Sequence, residues 1–375
     1  MNILSYVHLR NIYRSTGVGR VARELTEHLA ALPGVSLEVL ADPWDYREIV
    51  HKVGGPWSNY RYQFMEHETS RQQLLWYLRN SPTAESYWPD TQLVYCTAES
   101  YVPVRKARLA ISCHDTQHLE TGAHKMSYPL LKQRFKWKLL FDRLEAKADM
   151  FHMISQFAAD RTGHFFPNLR SRLRVVPNAA SECFFRPPTE AGNRILSQLG
   201  IADRPYVLVP GGLHHRKNAD LILDAWPHIQ HRHPELTLVV INHSDPAYLL
   251  RAQALAPSLI LAGYQEEETL VALYNAAQLV WFPTRYDGFG MPVIEAMACG
   301  APVVSSNSSA IPEIAGDAAI LLSPDKMTDH IETISALTED GRARAKLSQL
   351  GRERAQQYRW ARSAQQLAEE FASLL

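Results

Sequence analysis

Along the chain, short runs of apolar, often β-branched residues alternate with longer stretches in which apolar positions recur every three or four residues. Residues 3–7 and Val35–Ala41 read as strands, with a helix over Arg20–Ala31 between them. Leu109–Cys113, Phe151–Ile154 and Leu173–Val176 read as further strands of a first half, and Leu130–Ala148 as a helix. The same alternation restarts at Tyr206–Pro210 and continues through strands at Leu236–Ile241, Leu259–Ala262, Leu279–Phe282 and Pro302–Val304. Helices are expected from Leu221, over Glu267–Ala277, from Pro292 to Gly300, and through the tail from Asp329 to Leu375. Alternating strands and helices predict α/β architecture with parallel sheets. At 375 residues the chain exceeds what one core usually supports, so two domains are expected. The turn-rich stretch Arg186-Pro-Pro-Thr-Glu-Ala-Gly-Asn193 reads as the linker between them.

The pattern places one loop where chemistry is expected. Arg285-Tyr-Asp-Gly-Phe-Gly-Met-Pro-Val-Ile-Glu-Ala-Met-Ala-Cys-Gly300 runs from the end of a buried strand into a helix. Open α/β sheets bind ligands at the carboxyl ends of their strands, and free N–H groups at a helix start favour phosphate. Glu295 is expected in the first turn of that helix, ionised by its dipole and able to take vicinal hydroxyls of a ribose or sugar. Taken alone, Asp287 reads first as an ordinary turn residue and Glu295 as a complement to the helix dipole.

From Asp287 to Val303 the stretch closely resembles the signature of retaining GT-B glycosyltransferases of family 4 (glycosyl transferases group 1): acid-Gly-Phe-Gly-x-Pro-x-x-Glu-Ala-Met-Ala-x-Gly-x-Pro-Val. The first acid is Asp287 where Glu is usual. Val175-Val-Pro-Asn178, Ser308-Ser-Ala-Ile-Pro-Glu313 and Tyr358-Arg-Trp360 resemble further family segments. The resemblance covers the whole chain and is weakest in 44–100. It implies two Rossmann-like doubly wound domains facing across a cleft. Residues 1–185 form the acceptor side, 186–358 the nucleotide-sugar side, and a last helix, 359–375, returns to the first domain.

It also assigns roles to residues. Asp287 and the amides of Gly288, Phe289, Gly290 and Met291 would hold the donor sugar, and Glu295 the ribose. Gly263 and Tyr264 fall where the nucleobase is cradled. Gly17 and Gly19, in Ser15-Thr-Gly-Val-Gly-Arg20, would lie across from the donor phosphates, and His114 would face the donor sugar. Arg216 and Lys217, in a glycine-rich turn after the strand at Tyr206, can clamp a leaving diphosphate, Arg bidentately and Lys as a point charge. The family usually has a cation where this chain has Gly212, and Arg216 is expected to supply the missing charge.

Other patterns carry less. Gly17-x-Gly19-x-x-Ala22 with Asp42 matches a dinucleotide fingerprint, but Arg10–Thr16 separate it from the strand end, which weighs against the nicotinamide reading. His228, His231 and His233 put only two side chains on one helical face, so no metal site is expected there. Residues 44–101 carry ten Trp, Tyr and Phe rings from Trp44 to Trp88. Each is read first as packing and the region as the candidate acceptor surface. The basic helix 130–148 is read first as a solvated face and secondly as a peripheral membrane contact.

Composition narrows the classes. Lys+Arg and Asp+Glu are 39 each, so bulk charge gives no case for nucleic acid. The four cysteines are scattered, which suits a reducing cytoplasm, and neither a signal peptide nor a spanning segment is read. No Asp-x-Asp occurs, so the cation work falls to Arg216, Lys217 and the helix N-terminus, with no metal or other cofactor. The expectation is a cytoplasmic, metal-independent, retaining hexosyltransferase. It moves a mannose- or rhamnose-type sugar, from GDP by preference, to a glycan or polyprenyl-linked acceptor of bacterial surface polysaccharide or lipopolysaccharide. A nucleotide-sugar epimerase and a non-catalytic nucleotide-sugar binding protein are the alternatives.

Overall fold

The computed structural model describes residues 1–14, 16–120 and 128–375; Ser15 of the glycine-rich stretch lies outside them. The chain forms two compact units. The first contains seven parallel strands: β1 (Asn2–Tyr6), β2 (Ser36–Ala41), β3 (Arg61–Phe64), β4 (Leu93–Cys96), β5 (Arg108–Cys113), β6 (Met150–Met153) and β7 (Leu173–Val175). Their order is β3-β2-β1-β4-β5-β6-β7, with Ile3 registered against Leu37 on one side and Leu93 on the other. The order reverses between β1 and β4, which makes that edge the switch point.

The second unit repeats the plan with β8 (Tyr206–Val209), β9 (Thr237–Ile241), β10 (Leu259–Gly263), β11 (Leu279–Phe282), β12 (Val303–Ser306) and β13 (Ile320–Leu322). Their order is β10-β9-β8-β11-β12-β13, again all parallel, with the reversal between β8 and β11. Its central strands are apolar along their length because helices cover both faces. Trp226, Trp281, Leu238, Val240 and Ile222 anchor one of these layers.

The chain leaves the first unit after Asn178 and re-enters it at Trp360. The stretch 186–193 therefore lies inside the second unit and is not the link. Thr189 Oγ1 accepts the Gly192 N–H at 3.0 Å and so caps a helix, Glu190–Gln198, that the turn-rich composition concealed. The final helix, Trp360–Ala372, belongs to the first unit. It buries Leu367 and Phe371 there, sets the Phe371 ring 5.1 Å from that of Tyr95, and donates from Ser363 Oγ to the Pro177 carbonyl at 2.7 Å.

The helix after β1 begins at Gly17 and not at Arg20. Thr16 caps it by accepting the Gly19 N–H at 3.0 Å. What reads as a glycine-rich loop is thus the first helical turn.

Candidate active site

Both halves of the candidate site in the second unit lie at the carboxyl ends of β8 and β11, the strands that flank its switch point. After β11 the chain turns sharply through 285–290 into the helix Met291–Cys299. Gly290 adopts φ +95°, and a Cβ there would come within 2.6 Å of Ile311 Cδ1, so only glycine fits. Its N–H donates to Asp287 Oδ1 at 3.1 Å, while Asp287 N–H donates to Ser309 Oγ at 3.0 Å. Phe289 is buried, edge-on to Tyr358.

After β8, Gly212 lets the backbone pass close to the loop after β9, while Gly211 faces Phe282 and Lys217. At Gly212, φ is +67° and a Cβ would lie 1.9 Å from the His243 carbonyl oxygen. No side chain can stand where relatives of the resembled family place a cation. The charge comes instead from the next turn. Lys217 Nζ donates to Asp287 Oδ2 and lies 4.4 Å from the centre of the Phe282 ring. Arg216 Nη1 donates to the Tyr286 carbonyl at 2.9 Å and stands 3.5 Å from the same Asp287 oxygen. Thr284 Oγ1 donates to the Arg216 carbonyl at 3.2 Å and to that of Tyr286 at 3.0 Å, tying the two turns together.

Burial pushes the Asp287 carboxyl upward, but Lys217 and Arg216 outweigh it and hold the group below the usual carboxylate range. Asp287 is therefore ionised at neutral pH. The cluster sums to one positive charge, beside the amides that open a helix, and suits a phosphate-bearing ligand. Asp287 contacts both cations and the Gly290 amide, so its carboxylate also positions Lys217 and Arg216. Its shorter side chain serves these internal contacts.

Glu295 lies in the second turn of its helix, not the first, and only 1% of its surface is exposed. Tyr274 OH donates to its Oε2 at 3.2 Å. The helix starts at Met291, with Gly290 as its cap, one residue before Pro292, and nearly all of it is buried. Gly263 closes β10 at φ +68° with open space about it, and its carbonyl accepts the Asn242 N–H at 2.6 Å; Tyr264 beside it is half exposed. Tyr274, Phe282, Thr284 and Ser309 were not singled out in the sequence, because each acts through a contact distant along the chain.

His114, Gly17 and Gly19 belong to the first unit. His114 follows β5 and is buried. Its Nε2 lies 3.0 Å from the Thr97 carbonyl and its backbone N–H donates to Glu99 Oε1 at 2.6 Å, so Nδ1 is the nitrogen left for other work. Gly17 has open space around it. Gly19 does not: a Cβ would meet the Asn11 carbonyl oxygen at 1.9 Å, so helix packing explains that glycine.

The aromatic stretch divides cleanly. Trp57 and Trp76 are buried, Trp57 donating to Glu27 Oε1 at 2.6 Å, while Tyr62 stacks on Phe64 and Tyr46 packs against both at an angle. Trp44 is 49% exposed. It borders a cavity of about 710 Å³ at the carboxyl ends of β1, β2 and β3, shared with Arg10, Asp45, Glu48, His67 and Arg71. Among the described residues no group of three or more His, Cys, Asp or Glu is placed to hold a metal ion, and no helix is long and apolar enough to cross a membrane.

Comparison with known proteins agrees with this geometry. Residues 193–354 match the family described as Glycosyl transferases group 1. The chain is 25% identical over 368 residues to the O-antigen chain mannosyltransferase B of Escherichia coli, covering 93% of each. It is 27% identical over 277 residues to the serotype-specific mannosyltransferase WbdA of Escherichia coli, covering 70% of this chain and 33% of WbdA. It thus spans about a third of that protein's length. Among solved structures, sucrose-phosphate synthase from Thermosynechococcus elongatus superposes with a TM-score of 0.75 at 18% identity, covering 100% of this chain and 99% of that one, and so shares its fold.

Proposed function

We propose that this chain, which belongs to the glycosyl transferases group 1 family and has the GT-B fold, moves a mannose-type hexose from a GDP-linked donor to a hydroxyl of a growing surface glycan. The observation that carries the donor reading is the cluster of Lys217, Arg216 and Asp287 beside the Gly288–Met291 amides. The preference for mannose and for polysaccharide rests on the named activities of the two Escherichia coli relatives.

In this reading the diphosphate of the donor draws Lys217 and Arg216 toward itself, and Asp287 keeps both cations aimed when the site is empty. The bond between the anomeric carbon and the diphosphate oxygen breaks. The acceptor oxygen bonds to that carbon, and its proton passes to the departing diphosphate. Two cations and a helix N-terminus placed in advance lower the cost of the charge that develops there. The same groups make a divalent metal unnecessary, and attack on the face the diphosphate leaves accounts for retention. Gly263 and Tyr264 receive the base, Glu295 with Tyr274 the ribose, and His114 the sugar. The cavity bordered by Trp44 takes the acceptor glycan, with carboxylates for its hydroxyls and a ring for its apolar face.

The test is thermal shift of the whole chain against GDP, UDP and ADP, each with and without EDTA. A ligand at 100 times its dissociation constant adds about 2.7 kcal/mol. A shift with GDP alone, indifferent to EDTA, is the expected result. A shift that EDTA abolishes would overturn metal independence, one with UDP alone the donor preference, and none at all the donor site.

A further inference from the structure

The glycine pair after β8 has a lysine stem against one member and an imidazole against the other. A Cβ at Gly211 would lie 3.2 Å from the Lys217 side chain, and one at Gly212 would lie 3.3 Å from His214 Nε2. Backbone bonds hold His214 in this place. Leu213 N–H donates to Ser244 Oγ at 2.9 Å, and the Leu213 carbonyl accepts the Asp245 N–H at 2.9 Å, so the turn after β8 is fastened to the loop after β9. The His214 carbonyl accepts the N–H groups of Lys217 at 3.0 Å and of Ala219 at 3.1 Å. The turn that carries the imidazole therefore also sets the lysine.

Asp245 gives the ring a partner. It stands at the start of the helix Pro246–Gln253, where an aspartate commonly caps, yet its side chain makes no capping hydrogen bond. Its Oδ2 lies 3.4 Å from His214 Nδ1 instead. With Nδ1 turned to a carboxylate, Nε2 is left facing the glycine turn. That nitrogen carries an N–H when the ring is protonated and a lone pair when it is neutral. The other titratable or charged groups about His214 are His243, its ring centre 6.0 Å away in the loop after β9, and His215, Arg216 and Lys217 on its own turn. His215 faces Asp220 at 3.9 Å, and Arg216 and Lys217 face Asp287.

We propose that His214 is a further donor-binding residue, which, protonated and aimed by Asp245, donates Nε2–H to the diphosphate beside Lys217. The inference rests on the donor reading of this site but not on guanine as the base. A protonated imidazole makes a charge-assisted bond to phosphate, whereas the neutral ring turns a lone pair toward it. Donor affinity therefore gains from His214 as pH falls from about 8 to about 6. Asp245 is a positioning residue that acts through the ring, and its charge favours the protonated form.

The experiment is calorimetric titration of the whole chain with GDP, UDP and ADP between about pH 6 and about pH 8, in wild type and variants. A free nucleotide's terminal phosphate itself titrates near this range, so the quantity read is the ratio of wild-type to variant affinity for the same nucleotide. For His214→Asn that ratio should grow from near unity at the alkaline end to about tenfold at the acid end, the worth of one bond to a charged group. His214→Lys is charged throughout and should bind more tightly than wild type at the alkaline end. Asp245→Asn should move the midpoint of the rise to lower pH, which a purely structural role would not do. The pair is partly exposed and adds little to stability, so the variants should melt close to wild type.

A ratio for His214→Asn that does not change with pH would overturn the proposal and leave the donor site standing. So would a rise that survives His214→Asn and disappears in His243→Asn. Absence of binding by all three nucleotides at every pH would instead overturn the donor reading, and this inference with it.

Discussion

The loop after β11 and the cavity at the ends of β1, β2 and β3 both lie at the carboxyl ends of parallel strands, each in its own sheet, yet their residues are constrained in opposite ways. In the loop, nearly every position answers to a neighbour at close range: Gly290 to Ile311, Gly212 to His243, Asp287 to Lys217, Arg216 and Ser309. In the cavity, Trp44 is half exposed and Glu48 largely so, and the exposed Arg10 pairs with the buried Asp45 at 2.5 Å. A nucleoside diphosphate is the same molecule in many enzymes and calls for backbone geometry. A glycan acceptor differs from one enzyme to the next and is met by side chains that change without disturbing the fold.

That contrast can be pressed experimentally. Lys217→Ala should lower the turnover rate by about 10²–10³, the usual cost of one preorganised electrostatic group, measured under saturating donor. Trp44→Ala should leave donor affinity alone and raise the acceptor KM by roughly tenfold, from the loss of one stacking ring. A drop in donor affinity from Trp44→Ala would erase the distinction between the two sites.

Stability tests the same point. Gly212→Ala forces a Cβ against a backbone oxygen at positive φ and should cost about 3 kcal/mol in a denaturant titration. Gly17→Ala, in open space at the start of a helix, should instead stabilise by about 0.5 kcal/mol. The smallest effect concerns pH. Because the folded-state pKa of Asp287 is depressed, its contribution is fully present above the ordinary carboxylate pKa and is lost as pH falls through the lower, folded value. The difference in melting temperature between wild type and Asp287→Asn should therefore hold steady at neutral pH and shrink only below about pH 4.

Local signals carried the sequence reading far. Strands such as β11, helices ended by glycine as at Gly300 with φ +79°, and the long signature were visible because each is written in consecutive residues. What escaped notice was short or nonlocal. β4 is four residues inside an aromatic stretch, and β3 and β13 are too short and too half-buried to show a period. The helix Glu190–Gln198 hid behind a proline pair, and the start at Gly17 behind two glycines that usually mean a loop. Within the candidate site, residue types were legible but their partners were not. That Asp287 is spent on Lys217, or that Gly19 is fixed by Asn11, depends on what the fold brings alongside.

The helix Trp360–Ala372 has a consequence in time. It fills a place against Tyr95 and Pro177 in a unit whose other parts are made before the second unit, yet it is itself made after that unit. At about 5–20 residues per second, roughly ten to thirty-five seconds of synthesis separate Asn178 from Trp360. Throughout that interval the nascent first unit displays the bare apolar seat of a helix that does not yet exist, and the later unit gains its last residues before that helix is made. The order of completion is thus the reverse of the order of translation, and the first unit is the one that needs protection while the chain is being made.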